Sequence, residues 1–293
     1  MRMLSCLAFA GALTAGALEA APPSPTDLDW LREQVGGAGE AALAYEAQGK
    51  VYLTELTTGE TEKVGGGRCP EFSPDSSKLA WTSGDKALGR MRKGDKTVHV
   101  IAEGVAGDAG VHWVADSAVV VVKGKQWVRV TLAGEQQPVP ELSKLGRGGK
   151  ECDVKLGGDG VWSYIHKGRW RTSDGRSGKA SGECSFSLSP DGRIATGLEH
   201  DHTTCTLTAI RKGARKGRLK WVYDRKKPKG FDNHRWSSND GRFIACQDEK
   251  HNTMVVFRVG STKCSRMGKR GGGEMYGDFT VGDGEGKPWP ERE

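Results

Sequence analysis

The chain has 293 residues, with 44 Lys and Arg against 37 Asp and Glu, for a formal net charge of +7. An apolar fraction of 36% that includes nine Trp excludes a disordered chain. The 43 glycines fall between short Val, Ile and Leu runs, which points to an all-β fold with many tight turns, and beyond residue 20 no run approaches the ~18 apolar residues of a membrane helix, so no membrane span is expected.

Residues 1–21 read as a signal peptide. Arg2 gives a positive start, Leu4 to Ala17 form an apolar run, and the alanines up to Ala21 offer a small-residue cleavage site. This predicts a periplasmic or secreted product. Cys6 stands ahead of most of the apolar run instead of ending it, which argues against lipidation there. Residues 22–40 form a spacer: Pro22 to Pro25 favour polyproline II, and Asp27 to Gln34 carry a short helical pattern.

From residue 41 the pattern is strand and turn. Ala41 to Tyr45 and Lys50 to Leu56 alternate around Gln48-Gly49, as two antiparallel strands joined by a tight turn should. A fuller unit opens at Cys69 and runs Phe72-Ser-Pro-Asp75, followed by Lys78 to Trp81, with Thr97 to Ile101 as its outer strand. Val111 to Val114, Ala118 to Val122 and Gln126 to Val130 follow, then Cys152 to Leu156, Val161 to Ile165 and Arg169 to Arg171. Cys184 opens the next unit, with Cys205 to Ile210 and Leu219 to Tyr223 outside, and His234 opens another, with Met254 to Val259 outside.

The turn aspartates Asp75, Asp116, Asp159, Asp191 and Asp240 are spaced by 41, 43, 32 and 49 residues. A four-stranded propeller blade takes about 40 to 45 residues. The fold expected is therefore an all-β propeller over residues 41–283, with six blades of four antiparallel strands. The segment Gly273 to Val281 would pair with the N-terminal blade to close the ring, and residues 284–293 would be a C-terminal tail.

Phe72-Ser-Pro-Asp75, Leu188-Ser-Pro-Asp-Gly192 and Trp236-Ser-Ser-Asn-Asp-Gly241, each followed by a run ending in Ile-Ala or Leu-Ala, resemble the WD40-like (PD40) repeat of TolB-type β-propellers. The resemblance extends over roughly residues 40 to 282, and the copies at Asp116 and Asp159 have lost the Pro or the Ser. It implies a six-bladed propeller whose ring binds protein or saccharide. The separate N-terminal domain of TolB has no counterpart, so membership of that transport system is not implied.

In such a blade the innermost strand runs from one face of the disc to the other, and the loop between the second and third strands returns to the first face. Cys69, His112, Cys152, Cys184 and His234 fall at or near the starts of innermost strands and are expected to ring one mouth of the channel. Glu199, His200 and His202 belong to a second-to-third loop above it, matched one blade on by Asp248 to His251. These are the candidate ligand-binding residues. His200, His202 and His234 are the candidate metal ligands, and imidazole with thiolate would suit Zn or Cu, although no cofactor is expected. Disulfides compete for the same thiols, since losing Cys6 from the seven cysteines leaves an even number.

The Trp residues at repeated strand positions, Trp81, Trp113, Trp162 and Trp236, are expected to fill the space between blades, and Trp30 and Trp289 lie outside the repeat. Positive charge concentrates in Arg211 to Lys220, read as a loop between outer strands, and in Arg225 to Lys229. Such runs suit an acidic polysaccharide or an acidic protein. Nucleic acid is disfavoured, because no aromatic platform is interleaved with the charge. No Gly-x-Ser-x-Gly elbow, His-Glu-x-x-His helix or phosphate-binding Gly-Lys-Ser loop occurs. The expectation is a binding module for a protein or an anionic glycan at the channel-mouth face. The alternative is a propeller enzyme, a polysaccharide lyase or hydrolase with or without a metal.

Overall fold

The computed structural model describes residues 40–145, 153–166, 168–180, 184–198, 204–213, 216–220, 231–236, 243–248, 253–258, 264–267, 277–282 and 284–290, with single positions between 29 and 35. Among the described residues after 40, every element is a strand or a 3-10 helix, the helices being Gly107–Ala109 and Pro140–Leu145.

The N-terminal run supplies β1 (Ala41–Ala47), β2 (Lys50–Glu55) and β3 (Thr61–Gly66). Then come β4 (Arg68–Phe72), β5 (Lys78–Ser83), β6 (Lys86–Met91) and β7 (His99–Glu103). The third unit is β8 (His112–Ala115), β9 (Ala118–Lys123), β10 (Gln126–Thr131) and β11 (Gln136–Pro138), and the fourth is β12 (Asp153–Leu156), β13 (Trp162–His166), β14 (Arg169–Thr172) and β15 (Ser177–Lys179). The fifth is β16 (Cys184–Leu188), β17 (Ile194–Leu198), β18 (Thr204–Ala209) and β19 (Gly217–Lys220). The sixth is β20 (Phe231–Trp236), β21 (Phe243–Asp248), β22 (Thr253–Arg258) and β23 (Cys264–Met267), and β24 (Gly277–Val281) is the last described strand.

All pairings are between antiparallel neighbours, and the innermost strands β24, β4, β8, β12, β16 and β20 follow one another around a ring. The expectation of six blades of four strands is corrected in one respect. Consecutive strands complete five blades, and the N-terminal run completes only three strands, β1 to β3. The fourth strand of that sheet is β24, which pairs with β1 from Ala41↔Val281 to Tyr45↔Gly277. The reason lies in β1 itself. All seven of its residues are buried, so neither edge can be left to solvent, and among the described residues no strand precedes it to cover the inner one.

The repeat turns explain why Ser-Pro-Asp recurs. Ser189 Oγ donates to Asp191 and accepts the N–H of Ile194 at 3.0 Å, while Asp191 accepts the N–H of Arg193 at 3.0 Å. Ser73, Asp75, Ser77 and Lys78 repeat the arrangement. Side-chain oxygens thus satisfy the amides of the reversal, and the chain re-enters the sheet with no backbone donor stranded. The turn needs one residue at positive φ. Gly192 takes it at 65°, and Ser76 takes the same position in the earlier copy, also at 65°.

Apolar clusters lie between the sheets. Trp81, Trp113, Trp127 and Trp162 are all buried, in three successive clusters. Trp289 is buried as well: its ring stacks on His99 at 4.7 Å and lies over Gly89, where a Cβ would approach it to 2.5 Å. The tail residues 284–290 therefore pack along the β4–β7 sheet. At the other end Leu31 and Val35 join the cluster under β1 and β24. The Arg211 to Lys220 run is divided, Arg211 to Gly213 turning and Gly217–Lys220 forming β19.

Candidate functional site

The innermost strands carry charge where a β core would normally be apolar. Glu71 on β4, His112 on β8, Lys155 on β12 and Ser187 on β16 sit at one level, opposite Ala80, Val120, Ser163 and Thr196 of their second strands. The Lys155 ammonium bonds the Glu71 carboxylate, although the whole β8 blade separates their strands. Side chains from non-adjacent blades meet only toward the axis, so this ion pair reaches across part of the channel.

The surrounding groups tie the pair into a lattice. His112 Nε2 donates to the Ala109 carbonyl at 3.1 Å, and its Nδ1 faces Glu71 Oε2 at 3.3 Å and Asp153 Oδ1 at 3.6 Å. Glu71 Oε1 also accepts the backbone N–H of Trp113 at 2.9 Å. Asp153 Oδ2 accepts the N–H of Leu188 at 2.7 Å and the Ser187 hydroxyl at 3.1 Å, and Asp278 Oδ2 accepts the N–H of Phe72 at 2.9 Å. At three seams, β24 to β4, β4 to β8 and β12 to β16, an inner-strand carboxylate thus takes an amide of the next blade just before its turn.

Burial alone would raise the Glu71 carboxyl, but the Lys155 ammonium and the His112 ring outweigh it and hold it down to about 2. Burial would likewise lower Lys155, and the Glu71 and Asp153 carboxylates reverse that and raise it. Both groups stay charged at neutral pH. A buried, fully partnered pair of this kind specifies geometry more than it adds stability. Glu71, Asp153 and Lys155 escaped the sequence reading; the available signal was a carboxylate or ammonium inside an inner strand, four to six residues ahead of the turn aspartate.

The expected mouth residues separate into two groups. Cys69, a thiol on β4 with φ 52°, and His112 both stand beside Gly110, whose Cβ position is 3.9 Å from Cys69 Cβ and 3.7 Å from the His112 ring. His112 belongs to the lattice and is 3% exposed. Cys184 is the first residue of β16, and His234 is the fourth of β20, inside a register shift between Asp232 and Arg235. Cys152, Glu199, His200 and His202 lie outside the described residues. Among the described residues no three His, Cys, Asp or Glu side chains form a metal cluster.

The second-to-third connections on the mouth side differ in length. Four are two-residue connections, at Gln48-Gly49, Gly84-Asp85 and Gly124-Lys125 and between the paired His166 and Arg169. Residues 199–203 join β17 to β18, and residues 249–252 join β21 to β22.

No family model matches the chain, and no curated protein sequence matches it. Solved structures do match in shape. A chain of the nidogen/laminin complex aligns with a TM-score of 0.58 at 10% identity, covering 84% of this chain and 99% of that one. Apo AztD from Citrobacter koseri aligns at 0.48 and 11% identity over 84% and 99%, and Hsv2p from Kluyveromyces lactis at 0.41 and 13% identity over 75% and 71%. At 10% identity the nidogen/laminin likeness shows a β-propeller fold alone, and the TolB-type resemblance rests on the repeat residues.

Proposed function

We propose that this chain is an exported, TolB-like propeller that binds an anionic glycan or a protein at the channel-mouth face. The observation that carries the reading is the contrast among second-to-third connections. Four are the shortest hairpins that antiparallel strands allow, whereas the two joining β17 to β18 and β21 to β22 hold Glu199, His200 and His202 in one and His251 in the other. Cys69 and Cys184 lie toward the same end of their inner strands, with the lattice of Glu71, His112, Asp153 and Lys155 deeper in the channel, whereas His234, fourth of six residues in β20, lies near the lattice level. The net charge of +7 favours an acidic ligand. Export rests on the leader, and N-terminal sequencing of the mature protein should begin close after Ala21.

The test uses an immobilised polyuronate. The mature chain should be retained and eluted by salt, and mass spectrometry should find the polysaccharide unshortened. Passage without retention would remove the glycan reading, and shortened chains would replace the module with an enzyme.

A further inference from the structure

The face opposite the mouth holds a second feature. The turns β12–β13 and β16–β17, and the turns β14–β15 and β18–β19, reach that face between two neighbouring blades. They border an open, cleft-like cavity of about 440 Å³ whose lining includes Asp159, Arg176, Asp191, Arg193, Arg211 and Lys212. Four cations against two carboxylates leave an excess of two positive charges, reduced to one by Asp174 just outside.

The carboxylates are already committed. Asp159 takes Arg211 and the N–H of Val161 at 3.1 Å. Asp174 takes Arg176 through Nε, 3.0 Å from both Oδ1 and Oδ2, and Nη2, 2.7 Å from Oδ2. Asp191 faces its own turn, accepting from the Ser189 hydroxyl and the Arg193 N–H. Two cations remain. Among the described residues the Arg193 guanidinium has one contact, to the Lys212 carbonyl at 3.5 Å, and the Lys212 ammonium has none.

The fold is also shaped around the third cation. Arg211 is 9% exposed and held by the Val161 carbonyl at 2.7 Å and the Ser163 hydroxyl at 3.2 Å, while its Nε is buried without a partner. A Cβ on Gly157 would lie 2.2 Å from Arg211 Nη1, so glycine there is what admits the guanidinium. Arg193 and Lys212, beside the seated Arg211, thus present donors that no carboxylate among the described residues takes up.

We infer that this cavity binds a phosphoryl oxyanion, with Arg193 and Lys212 as its principal contacts and Arg211 fixing the wall. Guanidinium and ammonium donors match phosphate oxygens in charge and geometry. The volume falls within the ~300 to 1,000 Å³ of small-molecule sites and exceeds a bare phosphate, which leaves room for a sugar-sized carrier.

Calorimetric titration of the full mature chain with inorganic phosphate, glucose 6-phosphate and glucose, in chloride of matched ionic strength, tests the inference. Saturable binding of either phosphate, with none of glucose, is expected. Tighter binding of glucose 6-phosphate would identify a phosphorylated saccharide, and equal or tighter binding of inorganic phosphate would identify the free anion. Arg193→Ala with Lys212→Ala should weaken the signal about tenfold or more without moving the melting temperature in chloride, because both side chains are exposed. Gly157→Ala should weaken it by displacing Arg211, and His200→Ala with His202→Ala should leave it unchanged, which separates this site from the mouth face. No saturable phosphate binding, or binding indifferent to Arg193→Ala with Lys212→Ala, would overturn it.

Discussion

The Glu71 carboxylate on β4 accepts the backbone N–H of Trp113 on β8 at 2.9 Å, and the same oxygen takes the Lys155 ammonium from β12. One side chain thereby fixes three consecutive blades. Replacing it should be far costlier than a surface change. Glu71→Ala strands a buried ammonium and should lose about 3–5 kcal/mol in urea denaturation. Glu71→Gln keeps an acceptor for Trp113 and should lose less, and adding Lys155→Met to Glu71→Gln should recover part of the loss. Additive effects of the two single changes would show the pair to be uncoupled.

The same carboxylate makes stability depend on pH. Its folded value of about 2 lies below the ordinary 4.5, so its contribution is fully present above about pH 5 and is lost as pH falls toward 2. The amount at stake is on the order of 3 kcal/mol. The gap between wild type and Glu71→Gln, measured by denaturant titration at successive pH values, should narrow steadily on acidification. A constant gap would assign the effect to packing.

Gly192 and Ser76 occupy the same left-handed turn position with opposite consequences for substitution. At Gly192 a Cβ would come within 3.0 Å of Ser163, and φ is 65°, so Gly192→Ala should cost roughly 1–2 kcal/mol. Ser76→Gly relieves the same φ but removes a hydroxyl bonded to Thr280 on the closing strand at 2.5 Å. Its net effect in thermal melts should be small. A large stabilisation would mean that the Thr280 bond contributes little.

Trp289 tests how firmly the tail belongs to the fold. It is 8% exposed and fills space beside Ile101 and Val111, so Trp289→Ala should cost about 3–5 kcal/mol. Gly89→Ala should be comparably harmful, since its Cβ would meet the indole ring. Wild-type melting of both variants would show the tail to be dispensable.

The fold was legible where one strand face is apolar and the turn chemistry is explicit. Val119 to Val122, Phe243 and the Ser-Pro-Asp turns announce themselves. Thr61–Gly66, Gln136–Pro138 and Ser177–Lys179 do not, because outer strands face solvent and carry almost no apolar residues; Val64 is the only one of these to pack on a core. The charge lattice was hidden for a different reason. Nothing local marks Glu71, His112, Asp153 and Lys155 as neighbours, since their partners are set by the closure of the ring. The cationic cavity was half visible: Arg211 and Lys212 lie in the basic run noted from the sequence, but Arg176 and Arg193 join them only through adjacent blades.

The most direct test of the account is the affinity of the mature chain for a soluble polyuronate oligosaccharide, measured calorimetrically for wild type, His200→Ala with His202→Ala, and Arg193→Ala with Lys212→Ala. Binding at the mouth face predicts a saturable wild-type isotherm, a loss of about tenfold or more in the histidine variant, and no change in the other. An isotherm absent from wild type, or insensitive to the two histidines, would contradict it.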